Sequence, residues 1–291
     1  MKVLVAGGTG YVGAEVVRRL VAAGHGVRAM VHRSGGALPA VVETVTGDVA
    51  REDEYAQAAE GVDAIVHLVA ILDGRDDEFE RINAQGPANA VAAARRAGIR
   101  RLLHMSALGV TEGHAPLTRY WRSKWRGRET VAGSGLDWTI FEPSFVFGQG
   151  GGALATFESL LRLPLVAVVG DGRYRHQVVW IGDVAQAFVA ALEHPEGTAG
   201  KTYELGGPQA LAFDDLLDEL ARATGRKPRP KVHLPAGMMK AQAAVLKYFP
   251  PPLKVTREQI VMLLEGTECD LGPMRDELGI QPASLAEAYT R

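Results

Sequence analysis

The chain has 291 residues, 47% of them hydrophobic and 23% charged, a globular composition with room for one large or two unequal domains. Its 32 Lys and Arg against 34 Asp and Glu leave a net charge of −2, a balance that asks for no nucleic-acid or anionic-membrane partner. A single cysteine, Cys269, rules out an intramolecular disulfide and a cysteine-built metal site, and points to a reducing compartment.

The first expected strand starts at residue 2, which leaves no room for a signal or transit peptide. No apolar run approaches the ~20 residues of a membrane span. The expected location is the cytoplasm.

Residues 3–6, VLVA, form a short apolar run of the kind found in a parallel strand covered on both faces. Gly7, Gly8, Gly10 and Gly13 follow, and then Val16, Val17, Leu20 and Val21 repeat at helical spacing up to Gly24. Such a turn offers backbone N–H groups at a helix N-terminus, where the dipole favours an anion, so it reads as a phosphate site. The context of strand, glycines and helix is the one a dinucleotide fingerprint requires. The spacing Gly7-x-x-Gly10-x-x-Gly13 differs from the commoner G-x-G-x-x-G. The candidate pyrophosphate contacts are Gly7, Thr9, Gly10, Tyr11, Val12 and Gly13.

Residues 27–31 read as a second strand, ending in His32, Arg33 and Ser34. NAD-specific sites carry an acid about 20 positions past the glycines to bind the ribose 2′-hydroxyl. Here the residue 20 positions past Gly13 is Arg33, and no Asp or Glu lies between Glu15 and Glu43. A guanidinium pairs with a 2′-phosphate that an acid would repel, so the expected cofactor is NADP(H), with NAD(H) possible. Residues 43–49 read as a third strand. Asp48 at its end either accepts from the adenine amino group or caps the helix that follows, and Val49 stands beside it. Residues 63–71 read as a fourth strand in which His67 is a packing histidine and Leu68, Val69 and Ala70 run beneath the cofactor.

A long helix is expected over 76–97, ended by Gly98, and a fifth strand over 100–106. Ser106 falls at its carboxyl end, where ligands of open α/β sheets bind. In the helix expected over 117–131, Tyr120 and Lys124 are four apart and share a face. A lysine beside a phenol favours the phenolate and lowers its pKa, making the tyrosine a usable acid or base. Trp121 and Trp125 form a second pair at that spacing and pack the helix down.

Residues 137–147 read as a sixth strand, with Pro143 marking its end near the reactive part of the cofactor. The glycines from Gly148 to Gly152 open a connection suited to a substrate lid. Residues 177–181 and 201–206 read as further strands, with Asp183 capping a helix to Glu193. Beyond Gly207 helices are expected over 213–224 and 236–248. The second of these either lines a substrate pocket and packs on the main domain or rests on a membrane surface. Thr256 and Gln259 form a capping box for a helix running to Gly266.

These segments resemble the extended and atypical short-chain dehydrogenases/reductases. They are AGGTGYVG at the start, HLVA at His67, SALG at Ser106, Tyr120-x-x-Ser-Lys124, FEPSFVFG at Phe141, QVVWIGDVA at Gln177 and YELGGP at Tyr203. TREQIVMLLEG and LGIQP near the C-terminus are most similar to the group of the NADPH-binding accessory subunit of respiratory complex I and its bacterial homologues. The resemblance covers almost the whole chain. It implies a doubly wound parallel α/β Rossmann sheet over 1–149 and 165–206, with a small, mostly helical substrate lobe over 150–164 and 207–291. It implies that Ser106 polarises a carbonyl, Tyr120 passes the proton and Lys124 holds the nicotinamide ribose, with Pro143, Ser144 and Phe145 beside the nicotinamide. Many relatives carry arginine before that proline, whereas this chain has Glu142.

The expected function is NADP(H)-dependent hydride transfer to or from a carbonyl or quinone-type substrate. The alternatives are a non-catalytic NADPH-binding module in a respiratory or quinone-biosynthesis assembly, and an NAD-dependent nucleotide-sugar epimerase or dehydratase, against which Arg33 argues. A protein or quinone partner is compatible with this reading, nucleic acid is not, and no metal site is expected.

Overall fold

A computed structural model describes residues 1–32, 38–149, 151–237 and 256–290. The chain divides into two compact units. The first comprises Met1–Pro143, Gly182–Leu205 and Gly272–Ile280, and the second Ser144–Ile181, Gly206–Leu271 and Gln281–Arg291.

The first unit is built on seven strands: β1 (Lys2–Ala6), β2 (Gly26–Val31), β3 (Glu43–Thr46), β4 (Ala64–His67), β5 (Arg101–Met105), β6 (Asp137–Pro143) and β7 (Lys201–Leu205). They lie in the order β7-β6-β5-β4-β1-β2-β3, and every neighbouring pair is parallel. The helices between them include α1 (Tyr11–Ala22), α2 (Glu52–Ala58), α3 (Asp76–Phe79), α4 (Gln85–Ala97), α5 (Arg119–Ala132) and α6 (Ile181–Glu193), with a short helix Pro195–Thr198 before β7. The chain starts in mid-sheet and reverses its direction of winding between β3 and β4. The carboxyl ends of β1 and β4 therefore form the switch point where doubly wound sheets bind ligands.

Burial explains the central strand. Val3, Leu4, Val5 and Ala6 have no exposed surface, as a strand covered on both faces demands. Helix α1 buries Gly13, Val16, Val17 and Leu20, one face at helical spacing. Phe141 of β6 packs on Phe188 of α6 with ring centroids 4.5 Å apart and stacks on Tyr203 of β7 at 6.0 Å.

Several element ends differ from expectation, each for a local reason. β3 ends at Thr46, because after Gly47 donates to the Val31 carbonyl the chain turns at Asp48. β4 ends at His67, and residues 69–71 leave the sheet. The helix over 76–97 is three pieces, α3, a π-helical turn over Glu80–Ala84, and α4, which ends at Gly98 in the left-handed region (φ 71°). α5 starts two residues late because Thr118 caps it, its Oγ1 accepting the Trp121 N–H at 3.0 Å. β6 stops at Pro143, which has no N–H to continue a ladder. Val146–Gly148 belongs instead to a small sheet of the second unit, paired with Val179–Trp180. α6 begins at Ile181, so Asp183 lies inside its first turn rather than at the cap.

The second unit holds its own core, with Phe147, Val166, Val168, Phe213, Leu216 and Leu217 buried together. It contains helices Ala153–Leu160, Phe213–Ala223, Arg257–Leu264 and Leu285–Thr290 and three small sheets. The expected capping box is present: Gln259 N–H donates to Thr256 Oγ1 at 3.2 Å, and Thr256 N–H to Gln259 Oε1 at 2.9 Å. The helix expected over 236–248 lies outside the described residues from 238 onward. Among the described residues no helix is long and apolar enough to cross a membrane.

Candidate cofactor and active site

The glycine turn between β1 and α1 is shaped by backbone crowding. Gly7 adopts φ +92°, and a Cβ there would stand 3.1 Å from Val69 Cγ2. A Cβ on Gly13 would stand 1.9 Å from the Gly7 carbonyl oxygen, so only glycine lets α1 approach the turn this closely. The Gly7 carbonyl accepts the Gly10 N–H at 3.0 Å, which closes the turn. Gly10 occupies the N-cap of α1, no side chain caps that end, and its first turn holds no acid. Thr9 and Gly10 are exposed, Tyr11 and Val12 half-buried, and Gly13 buried. This is a helix N-terminus left open for an anion.

At the next strand ends Asp48 is tied into its own loop. Its Oδ1 accepts the Ala50 N–H at 2.9 Å and tightens the loop, while α2 starts at Glu52 with Arg51 at its N-cap. The carboxylate therefore does not cap α2. Its Oδ2 faces Arg81 Nη1 at 3.5 Å and His32 Nε2 at 3.7 Å. Val49 is buried. Arg81, on the π-helical turn, had no local signal in the sequence, since it meets Asp48 only through the fold. Arg33 and Ser34 lie outside the described residues.

The loop after β4 forms the wall opposite the glycine turn. Leu68 N–H donates to the Ala6 carbonyl at 2.9 Å, Leu68 is buried, and Val69 lies against Gly7. Ala70 is exposed. His67, just before, is fully buried, with Nδ1 3.0 Å from the Tyr55 hydroxyl. Its ring lies 5.5 Å from that of His104, the residue beside it on β5. Burial first, then the Lys124 charge, pulls His67 down to about 3 and His104 well below the usual histidine range.

Ser106 is the first residue past β5. Its N–H donates to the Phe141 carbonyl at 2.7 Å, and two residues on Leu108 N–H donates to the Pro143 carbonyl at 2.9 Å. The Ser106 hydroxyl is buried and, among the described residues, has no hydrogen-bond partner. A buried hydroxyl with nothing to bond is costly, and a ligand oxygen at the sheet's carboxyl edge would satisfy it.

Tyr120 and Lys124 lie on the buried face of α5. Lys124 Nζ donates to the Met105 carbonyl at 2.6 Å, next to Ser106. The fold thus brings Lys124 and the Ser106 segment together, with Tyr120 one helical turn away. The expected electrostatic effect is not found: burial pushes the Tyr120 phenol up, and Lys124 is not among the causes. Lys124 itself is pulled down to about 8, by burial first and against the opposing charge of Glu142. Glu142, the residue before Pro143, pairs within the fold. It is buried and its Oε1 accepts from Arg128 Nε at 2.7 Å.

Pro143 is buried at the end of β6. Ser144 and Phe145 belong to the second unit. There Ser144 Oγ lies 2.7 Å from Thr267 Oγ1, which lies 2.9 Å from His176 Nδ1, and the Phe145 ring packs 4.7 Å from the His176 ring. Thr267 and His176 are 91 residues apart in sequence, so no spacing rule could have paired them. Among the described residues no group of three or more His, Cys, Asp or Glu could hold a metal.

The residues present fit a dinucleotide. A Cβ at Gly13 would collide with the Gly7 carbonyl that closes the turn, the α1 terminus has no side-chain cap, and the Ser106 hydroxyl is orphaned among the described residues.

The comparisons with known proteins agree. Residues 3–206 match the NAD dependent epimerase/dehydratase family. The chain is 30% identical to sterol demethylase protein B of Methylococcus capsulatus, over 99% of this chain and 96% of the other. It is also 30% identical to (4-alkanoyl-5-oxo-2,5-dihydrofuran-3-yl)methyl phosphate reductase of Streptomyces griseus, over 97% and 94%. The crystal structure of UDP-glucose 4-epimerase from Thermotoga maritima, bound to UDP-glucose, superposes with a TM-score of 0.77 over 99% of this chain and 96% of that one, at 20% identity. With that fold, glycine turn and family match, the chain belongs to the NAD dependent epimerase/dehydratase family, the extended short-chain dehydrogenases/reductases, an NAD(P)-binding oxidoreductase family with a Rossmann core.

Proposed function

We propose that this protein is an NADP(H)-dependent carbonyl oxidoreductase. The observation that carries the proposal is the buried, unpartnered Ser106 hydroxyl at the carboxyl end of β5, with Lys124 bonded to the preceding residue and Tyr120 one turn along α5. When bound, the dinucleotide supplies or accepts the hydride. Ser106 donates a hydrogen bond to the substrate oxygen and polarises its carbon. Tyr120 gives its phenolic proton to that oxygen in reduction, or takes it back in oxidation. Burial raises the phenol and keeps it neutral, the form a proton donor needs. Lys124 presents a cation to the nicotinamide ribose and holds the β5 end through Met105. Gly7, Thr9, Gly10, Tyr11, Val12 and Gly13 hold the pyrophosphate. Val69 and Ala70 line the wall, and Pro143, Ser144 and Phe145 adjoin the nicotinamide.

The preference for NADP(H) rests on charge. Arg33 stands where NAD sites carry an acid, and Asp48 is already engaged by Arg81 and His32. The similarity to a reductase from Streptomyces griseus supports hydride transfer to an organic substrate.

One observation favours a second reading, a binding module without turnover, as suggested for the group of the complex I accessory subunit. Lys124 is committed to a backbone carbonyl, and the Tyr120 phenol is raised rather than activated. The deciding experiment follows NADPH absorbance with a panel of aldehydes, ketones and quinones, using Tyr120→Phe as control. Turnover abolished by the substitution supports the enzyme, and tight NADPH binding with no turnover on any acceptor supports the module. Turnover indifferent to Tyr120→Phe overturns the proton-donor role. NADPH against NADH affinity, before and after Arg33→Ala, tests the cofactor preference.

A further inference from the structure

Strands β2 and β3 end side by side, with Val31 opposite Thr46 and the Gly47 N–H donating to the Val31 carbonyl at 3.0 Å. His32 and Asp48 therefore emerge together at the carboxyl edge of the sheet, where the ribose of a dinucleotide meets the residues after the second strand. The Asp48 side chain is 20% exposed, so its carboxylate faces whatever binds at this edge. A 2′-phosphate is itself an anion, and like charges brought this close repel.

Arg81 reaches the carboxylate from the π-helical turn between α3 and α4, 33 residues away in sequence. Its Nη1 stands 3.5 Å from Asp48 Oδ2, and His32 Nε2 stands 3.7 Å from the same oxygen. The other oxygen is already used, since Oδ1 accepts the Ala50 N–H at 2.9 Å. Asp48 N–H in turn donates to Glu54 Oε2 at 2.7 Å, which holds the residue in place. Glu54 is itself paired, its Oε1 lying 2.6 Å from Arg51 Nε. A histidine adds charge only when protonated, whereas a guanidinium is always charged. Among the described residues, Arg81 is thus the permanent cation that faces Asp48 Oδ2. Its side chain is 55% exposed, and a surface contact through one nitrogen contributes little to stability. The consequence of the pair lies in the field it sets at the edge.

We propose that Arg81 is a specificity residue that masks Asp48 and so admits a nucleotide carrying a 2′-phosphate. It acts by removing the repulsion Asp48 would exert, not by bonding the phosphate. The inference rests on the proposed NADP(H) preference for its ligand, and on the ion pair for its physics. Masking has a signature: losing Arg81 matters only while Asp48 keeps its charge.

The test uses the full chain and calorimetry with two fragments, adenosine 2′,5′-bisphosphate and 5′-AMP, which differ in the 2′-phosphate alone. Arg81→Gln should weaken the bisphosphate about tenfold and leave 5′-AMP within about twofold. Arg81→Lys should keep most of the affinity, because it keeps the charge. Asp48→Asn retains an acceptor for the Ala50 N–H, and added to Arg81→Gln it should bring bisphosphate binding back to within about threefold of the wild type. At about 1 M salt, where charges are screened over roughly 3 Å, the Arg81→Gln effect should shrink. Equal losses for both fragments, or no loss, overturn the inference. A double variant as weak as Arg81→Gln also overturns it, and assigns Arg81 to the phosphate itself. A wild type that binds both fragments equally overturns the NADP(H) reading instead. The mask is then judged by whether Arg81→Gln turns the ratio against the 2′-phosphate.

Discussion

Lys124 gives its ammonium to the carbonyl of Met105 at 2.6 Å, one residue before Ser106, although Tyr120 shares its face of α5. The lysine therefore fixes a strand end as well as presenting charge, and its protonation should matter to both.

Burial draws Lys124 down to about 8 from its ordinary 10.5. Between those values the unfolded chain binds more protons, so this group's contribution to stability rises with pH there. The buried ammonium is a cost to the fold at neutral pH, while the cofactor site needs it charged. NADPH affinity should fall as pH rises through about 8, while the melting temperature loses a penalty over the same range. Fluorescence titrations and thermal melts from pH 7 to 10 check both, and Lys124→Met should flatten both dependences and bind NADPH weakly throughout.

Arg128 and Glu142 form a mostly buried ion pair on α5 and β6. Removing one partner strands a charge, so Arg128→Met should cost about 3 kcal/mol in urea unfolding. The double change Arg128→Met with Glu142→Leu should cost clearly less. Burial already raises Glu142, and loss of the guanidinium should raise it further.

His67 and His104 are neutral and buried, with their rings 5.5 Å apart and tilted by 32°. Their folded values lie below the ordinary 6.5, with His67 near 3, so acid protonates the unfolded chain first. Stability should fall as pH drops below 6.5, by up to about 1.4 kcal/mol per pH unit for each histidine. Denaturant melts at pH 7, 6 and 5 measure the slope, and His104→Leu should shallow it.

Gly13 and Gly24 offer a matched pair. Gly13→Ala drives a Cβ into the Gly7 carbonyl oxygen and should abolish NADPH binding. Gly24 ends α1 at φ +83° with no heavy atom within 4 Å of an added Cβ. Its alanine variant should lose about 1 kcal/mol of stability and bind NADPH normally. Calorimetry and thermal melts separate the two.

Much of the local structure was legible in the chain itself. The run Val3–Ala6, the glycines after it, the helical repeat to Leu20 and the cap at Thr256 are local patterns whose physics acts within a few residues. Ser106, Tyr120 and Lys124 could be singled out because strand-end and i,i+4 rules are also short-ranged.

What sequence could not supply was everything that depends on which segments meet. The phenol of Tyr120 is raised by burial, and Lys124, one turn along α5, bonds the Met105 carbonyl at the end of β5. Strand ends were misplaced at Thr46, His67 and Pro143, where a turn, a side-chain amide and a missing N–H end the pairing. Asn83 reads as an ordinary helix residue until a π-turn brings its amide to Ile71 and Ser123, 12 and 40 residues away. Periodicity and spacing fixed the strand, the phosphate turn and the tyrosine–lysine pair because those rest on neighbours in the chain. Tertiary structure alone decided burial, and with it the protonation of the pair and the partners of Glu142, Asp48 and Asn83, because desolvation and long-range hydrogen bonds exist only once distant segments are packed together.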